Sequence, residues 1–262
     1  MSSQAPLFDS APIPILILIA RPAAGKSEIV TFLQSLSDKG RLADYQLGKL
    51  RCIDDFPMLW TWFEEDQILE EMGKPRLHTT ADGYFIGTHL WDLLIRRIGL
   101  EYSKLKRDLG ENIHDTTVLL EFARGTQHGG FRRAFEHLPD EILAQGAVIY
   151  IDVSFEESVR KNRRRFNPER PDSILEHGLP LDKMETLYRA SDWEDLVKEA
   201  RQADQSRRNG ISAGYLQIRQ HSVPYAVFDN EDDVTTRGAE RLAKRLKQVI
   251  GSLVIMIENK LK

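Results

Sequence analysis

The stretch ILILIARPAAGKSEIV, residues 15–30, carries the first residues whose types and spacing suggest chemistry. An apolar run stops at Ala20, the small residues Ala23, Ala24 and Gly25 follow, and Lys26-Ser27 opens a helical pattern. Small side chains let backbone N–H groups converge on phosphate oxygens, and the N-terminus of the next helix adds a positive dipole. Lys26 is then placed to reach the outer phosphates of a nucleotide, and the Ser27 hydroxyl to bind Mg²⁺. Pro22 removes one N–H donor from this loop. Ala20 to Ser27 fits the Walker A spacing, with Ala20 where the first Gly is usual.

Carboxylates follow at the ends of two further apolar stretches. KLRCIDDF ends in Asp54 and Asp55. Either can accept a hydroxyl proton or hold a metal through water. Either can equally cap the helix that Pro57 opens. TTVLLEF, 116–122, carries Glu121 at the end of an apolar strand, where a carboxylate is costly unless solvated or metal-linked. Arg124, just beyond, is read as touching substrate or pairing with Glu121. Arg160, Arg163, Arg164, Arg165 and Arg170 form a basic cluster, the first three on one helical face. Arginine's planar fork suits phosphate, so the cluster is expected to close on ATP; the alternative is a solvated face paired with Glu156 and Glu157. Arg132 and Arg133 read as surface charge, or as holders of an acceptor phosphate. Trp60, Trp62, Phe63, Tyr84 and Phe85 read as core packing before a ring sandwich. The seven histidines show no metal-ligand spacing.

The elements that must position these residues alternate. Apolar strands at 13–20, in KLRCIDDF (49–56), and at 116–122, 147–153 and 223–230 are separated by helical patterns at about 25–37, 57–73, 88–109, 131–144 (broken at Pro139), 155–165, 191–209 and 234–250. This predicts an α/β fold: a five-stranded parallel sheet with helices on both faces. Residues 1–12 read as a loose leader, 13–262 as one domain with a substrate-side insertion at 57–115, and 160–190 as an Arg-rich lid. The 262 residues are 41% hydrophobic, enough for a full core, and the net charge of -4 argues against a general nucleic-acid binder. One cysteine, Cys52, allows no internal disulfide and fits a reducing cytosol. The apolar runs at 13–20 and 249–257 are too short to span a bilayer. A cytoplasmic protein with no membrane partner is expected, with the oligomeric state left open.

The order of these motifs resembles the P-loop nucleoside and nucleotide kinases, and within them the uridine kinase, nicotinamide riboside kinase and pantothenate kinase group. In that group strand two ends in the catalytic base, a role the resemblance carries to Asp54 in IDDFP, with Asp55 assigned to the metal. Strand three ends in an acidic residue near the metal, here Glu121, followed by Phe122 where Gly is common. YIDVSFEESVRKNRRR matches the helix that enters the family's lid, which implies Arg160 and Arg163 on the nucleotide and Arg164 on the moving charge. VFDNEDDV matches the loop near the adenine, which implies Asn230 there. The implied activity is Mg-ATP-dependent phosphoryl transfer to a small hydroxylated acceptor, nucleoside-like first. A nucleoside monophosphate kinase, with Arg124, Arg132 and Arg133 on an acceptor phosphate, and a catalytically silent nucleotide-binding protein are the rivals.

Overall fold

A computed structural model describes residues 11–165, 169, 178–201, 206–208 and 211–260. The chain begins with β1 (Ile15–Ala20), α1 (Lys26–Ser35), α2 (Asp38–Tyr45), β2 (Lys49–Asp54) and α3 (Asp55–Glu71). It continues through α4 (His89–Leu109), β3 (Thr116–Phe122), α5 (Gly130–His137), α6 (Asp140–Gln145), β4 (Gly146–Asp152) and α7 (Phe155–Arg165). α8 (Leu181–Tyr188), α9 (Trp193–Arg201), β5 (Ser206–Arg208), β6 (Ile211–Ile218), β7 (His221–Asp229) and α10 (Ala239–Lys260) complete it.

Every residue of β1 is buried, because the strand lies at the centre of the sheet between β3 and β4. Its side chains alternate between two cores, as a two-residue period requires. Ile15, Ile17 and Ile19 pack with Ile95 and Ile98 of α4 and Phe131 and Phe135 of α5. Leu16, Leu18 and Ala20 pack with Ile29 and Leu33 of α1 and with Leu246 and Leu253 of α10. The predicted helices on both faces are therefore present.

The sheet differs from the predicted one. It has seven strands in the order β2-β3-β1-β4-β7-β6-β5. The five expected strands are parallel, and β6 and β5 extend them as an antiparallel edge. The helix expected over 191–209 stops at Arg201, and β5 and β6 take up the chain beyond it. Of the expected lid, residues 166–168 and 170–177, including Arg170, lie outside the described residues. No helix among the described residues is long and apolar enough to cross a membrane.

The chain runs from β1 to one edge, β2 and β3, then crosses to β4 and β7. The loop after β1 therefore opens where the winding reverses, the usual ligand position in such sheets. Between α3 and α4 a short hairpin folds back over the aromatic side chains. Thr79 bridges Phe85, Thr80 N–H donates to Tyr84 O at 2.7 Å, and Ile86 N–H donates to His78 O at 3.0 Å. Its base hangs on Asp66, whose fully buried carboxylate accepts from the N–H groups of Leu77 (2.8 Å) and His78 (2.9 Å) and from the N–H and hydroxyl of Thr79. Replacing Asp66 strands several buried donors at once. Asp66→Ala should cost about 3 kcal/mol and lower the Tm by about 6 °C in thermal denaturation.

Candidate active site

The loop after β1 closes under a left-handed glycine. Gly25 has φ 117°, and a Cβ there would lie 2.7 Å from the Asn230 amide nitrogen. Ala23, also in the loop, has φ 56°. Asn230 is fully buried; its amide donates to Ala24 O at 2.7 Å and to the Thr235 hydroxyl at 2.9 Å, and its carbonyl accepts from Thr235 N–H at 3.2 Å. These bonds occupy the side chain, so Asn230 holds the loop rather than a base, a correction to its expected nucleotide contact. Arg21 anchors the other side, donating to Arg189 O at 3.1 Å.

A cleft of about 740 Å³ opens beside the loop. Ala23, Ala24, Gly25, Lys26 and Ser27 line its floor, and Thr31, Phe32, Ala239 and Leu242 give it an apolar side. Ala20 is buried at the end of β1 and is not among the lining residues. The side supplied by α7 is not the predicted arginine face. Ser158, Lys161 and Asn162 are buried, and the Ser158 hydroxyl donates to Pro22 O at 2.7 Å. Arg163 is exposed and does not line the cleft. Arg160 is exposed and forks onto Glu157 at 2.6 and 2.7 Å, the alternative pairing foreseen for it, and also reaches Asp233 at 2.9 Å. Arg164 and Arg165 do line the cleft, together with Lys161. Lys161 lies 2.7 Å from the Asp233 carboxylate and 3.2 Å from the Thr235 hydroxyl. Burial would raise the Asp233 carboxyl, but hydrogen bonds from Lys161, Thr236 and Arg160 hold it down to about 2. Lys161 was missed by sequence reasoning. Its signal was the three-residue spacing from Ser158, which puts it on the face turned to the loop.

Next to the loop, β2 and β3 run in register with Asp54 opposite Glu121, and Leu18 of β1 faces Glu121 on the other side. Burial and the charges of neighbouring carboxylates push Asp54 up to about 6 and Glu121 up to about 7, with Lys26 and Arg165 pulling both back. Asp54 also caps α3, accepting from Phe56 N–H at 3.0 Å. Asp55 is the first residue of the helix and is turned away. Its buried carboxylate pairs with Arg124 at 2.6 Å, so Arg124 meets Asp55 and not Glu121, one of the two partners expected for it. Arg124 is committed further, to Ala123 O at 2.7 Å and Trp91 O at 3.3 Å. Arg132 pairs with Glu199 at 2.7 Å, and Arg133 forks onto Asp92 at 2.8 and 2.6 Å. These three arginines are thus engaged with Asp55, Glu199 and Asp92, where the rival monophosphate-kinase reading has them converge on an acceptor phosphate.

The aromatic side chains divide. Trp62 is buried in a small core with Leu90 and Leu94, stacked on His78 at 5.1 Å, as core packing predicted. Phe56, Trp60, Phe63, Tyr84 and Phe85 are half-buried. Among the described residues no cluster of three His, Cys, Asp or Glu forms a closed metal cage. Mg²⁺ keeps several waters and is commonly bound by one or two carboxylates together with substrate phosphates. Ser27 on the cleft floor and the adjacent Asp54–Glu121 pair are donors of that kind.

No protein-family model and no curated protein matches the chain. Three solved structures are similar over most of their length. The crystal structure of APE1195 is 15% identical, with 92% of this chain and 97% of that chain covered and a TM-score of 0.38. TT1252 from Thermus thermophilus is 15% identical, with 93% and 99% covered and a TM-score of 0.43. An unliganded sugar kinase from Janibacter sp. HTCC2649 is 12% identical, with 92% and 95% covered and a TM-score of 0.39. Likeness of this size carries no argument about chemistry, so the site is read from its own residues.

The raised carboxyls set a pH dependence. A carboxyl whose pKa is raised on folding binds its proton more tightly folded than unfolded, so ionising it costs stability. The cost is full above about pH 7 and is relieved as pH falls through about 7 and about 6. Asp54→Asn, which keeps the helix cap, should raise the Tm of the ligand-free protein at pH 8 by about 5 °C. The difference should shrink as pH falls below about 6 and close only near pH 4, where the unfolded carboxyl also takes up its proton, as read by thermal melts across that range.

Proposed function

We propose that the protein is a Mg-ATP-dependent kinase that transfers a phosphoryl group to a hydroxyl of a small metabolite, with a nucleoside-like acceptor first. The observation that carries this reading is the pairing of Asp54 with Glu121 beside the Lys26 loop, while Asp55 is held aside by Arg124. The loop and cleft suit the phosphates of ATP. N–H groups at the start of α1 face the floor, Lys26 supplies a positive charge, and Lys161, Arg164 and Arg165 flank the opposite side.

Bound by Ser27 and Glu121, Mg²⁺ would neutralise charge on the phosphate oxygens. Asp54 takes the acceptor hydroxyl's proton. A carboxyl raised to about 6 is a better base near neutrality than an ordinary aspartate, yet is largely ionised there. Lys26 holds the transferred group in line, so the protein's contribution is positioning and charge stabilisation. The commitment of Arg124, Arg132 and Arg133 to Asp55, Glu199 and Asp92 weighs against a monophosphate acceptor. The half-buried Phe56, Phe63 and Phe85 favour an acceptor with an apolar or flat face.

ADP release with Mg-ATP across a panel of nucleosides, nucleotides, vitamin precursors and sugars tests this. Activity is expected on a hydroxyl acceptor. Lys26→Met should abolish it, and Asp54→Asn should lower kcat by about 10²–10⁴-fold, the usual contribution of a general base. Arg133→Ala should leave kcat/KM within about twofold, since an exposed ion pair on α5 contributes little. Activity on a monophosphate that survives Asp54→Asn and falls with Arg133→Ala would overturn the proposal.

A further inference from the structure

The nucleotide-side helix and the acceptor-side hairpin are joined by two side chains that neither the phosphate loop nor the carboxylate pair requires. α7 lines the cleft through Lys161, Arg164 and Arg165. Its buried Asn162 makes a reciprocal pair with Leu179, just before α8: Nδ2 donates to Leu179 O at 2.7 Å, and Leu179 N–H donates to Oδ1 at 3.0 Å. A two-bond amide clamp makes the start of α8 follow α7. On α8, Lys183 Nζ donates to Gly83 O at 3.0 Å and lies 5.2 Å from the Tyr84 ring. Gly83 admits it by lacking a Cβ, which would stand 2.2 Å from Nζ, and by its left-handed φ of 77°.

The hairpin in turn packs toward the carboxylates. Phe85 lies 4.6 Å from Trp91, ring to ring; the Arg124 guanidinium lies 5.1 Å from the Trp91 ring; and Arg124 holds Asp55 beside Asp54. Asp66 fixes the hairpin's base, whereas Lys183 ties its tip to another element. The tip is thus the part that can move with α8.

We infer that Asn162 and Lys183 couple the two sides, so that nucleotide binding on α7 closes the 76–87 hairpin over the acceptor. The inference rests on the nucleotide-binding reading of the cleft. Such coupling requires that the nucleotide favour one position of α7, and the contacts through Asn162 and Lys183 are the route by which that position would bias the hairpin. Asn162 and Lys183 are then positioning residues, acting through the hairpin rather than on the reacting atoms.

Hydrogen–deuterium exchange on the full chain, with Mg²⁺ and the non-hydrolysable ATP analogue AMPPNP as probe, tests the coupling, and calorimetry reports binding in parallel. In the unaltered protein, amides at 21–27 and at 80–86 should both slow on binding, the latter by about tenfold, the scale of one charge-assisted hydrogen bond. In Lys183→Met and in Asn162→Ala the slowing at 21–27 should persist and that at 80–86 should vanish. Lys183→Arg should restore it, and unchanged exchange in β1 and β3 controls for folding. Bound AMPPNP with no response at 80–86, or an equal response in the variants, overturns the coupling. Flat calorimetry overturns the nucleotide reading itself, and the coupling with it.

Discussion

Two carboxylates set side by side at the buried end of a sheet are the constraint around which this site is built. The parallel register of β2 and β3 leaves Asp54 no position other than opposite Glu121. Like charges at such spacing resist ionisation together, and burial deepens the resistance. Buried ion pairs among the described residues lie on other carboxylates, Asp55 and Asp233. The third nearby carboxylate, Asp55, which raises both, is itself paired with Arg124, and Lys26 and Arg165 lie near enough to be felt by Asp54 and Glu121. The pair is left poised near neutrality, suited to a cation and a proton.

The same economy appears at the loop after β1. Its conformation depends on a left-handed glycine and on a buried amide from just beyond β7, Asn230, which hydrogen-bonds Ala24 O. Asn230 and Thr235 continue this network to Lys161 on α7. Floor and flank of the cleft are therefore linked by one run of buried polar contacts. Satisfied polar groups in low dielectric are rigid and costly to break, which keeps the loop preorganised.

Much of this was legible in the sequence, for a physical reason in each case. β1 and β3 are buried on both faces, so they read as continuous apolar runs, and β3 falls at 116–122 as predicted. The glycine, lysine and serine after β1 occupy a local motif whose geometry depends on few distant residues. β6 was missed because ISAGYLQI lacks a strong apolar run, and Gly214 is needed where the Tyr225 ring comes within 3.0 Å of its missing Cβ. The turn to β7 is Arg219-Gln220, without the Gly or Asn that marks a tight hairpin. Arg219 holds φ 52° there through contacts with Leu138 O and Asp140. The roles of Asn230, Asp55 and Lys161 were hidden for a different reason. Each is decided by a partner far along the chain, at Ala24, Arg124 and Asp233, and no local pattern encodes those meetings.

The central claim is that the Asp54–Glu121 site moves a phosphoryl group onto a hydroxyl. The most direct test is the bond in the product. Phosphorus NMR of a reaction of the full chain with Mg-ATP and the metabolite panel distinguishes a phosphate monoester from an anhydride. A new monoester resonance that appears with ADP is the predicted result. An anhydride product, or no product while calorimetry shows ATP bound, would contradict the account.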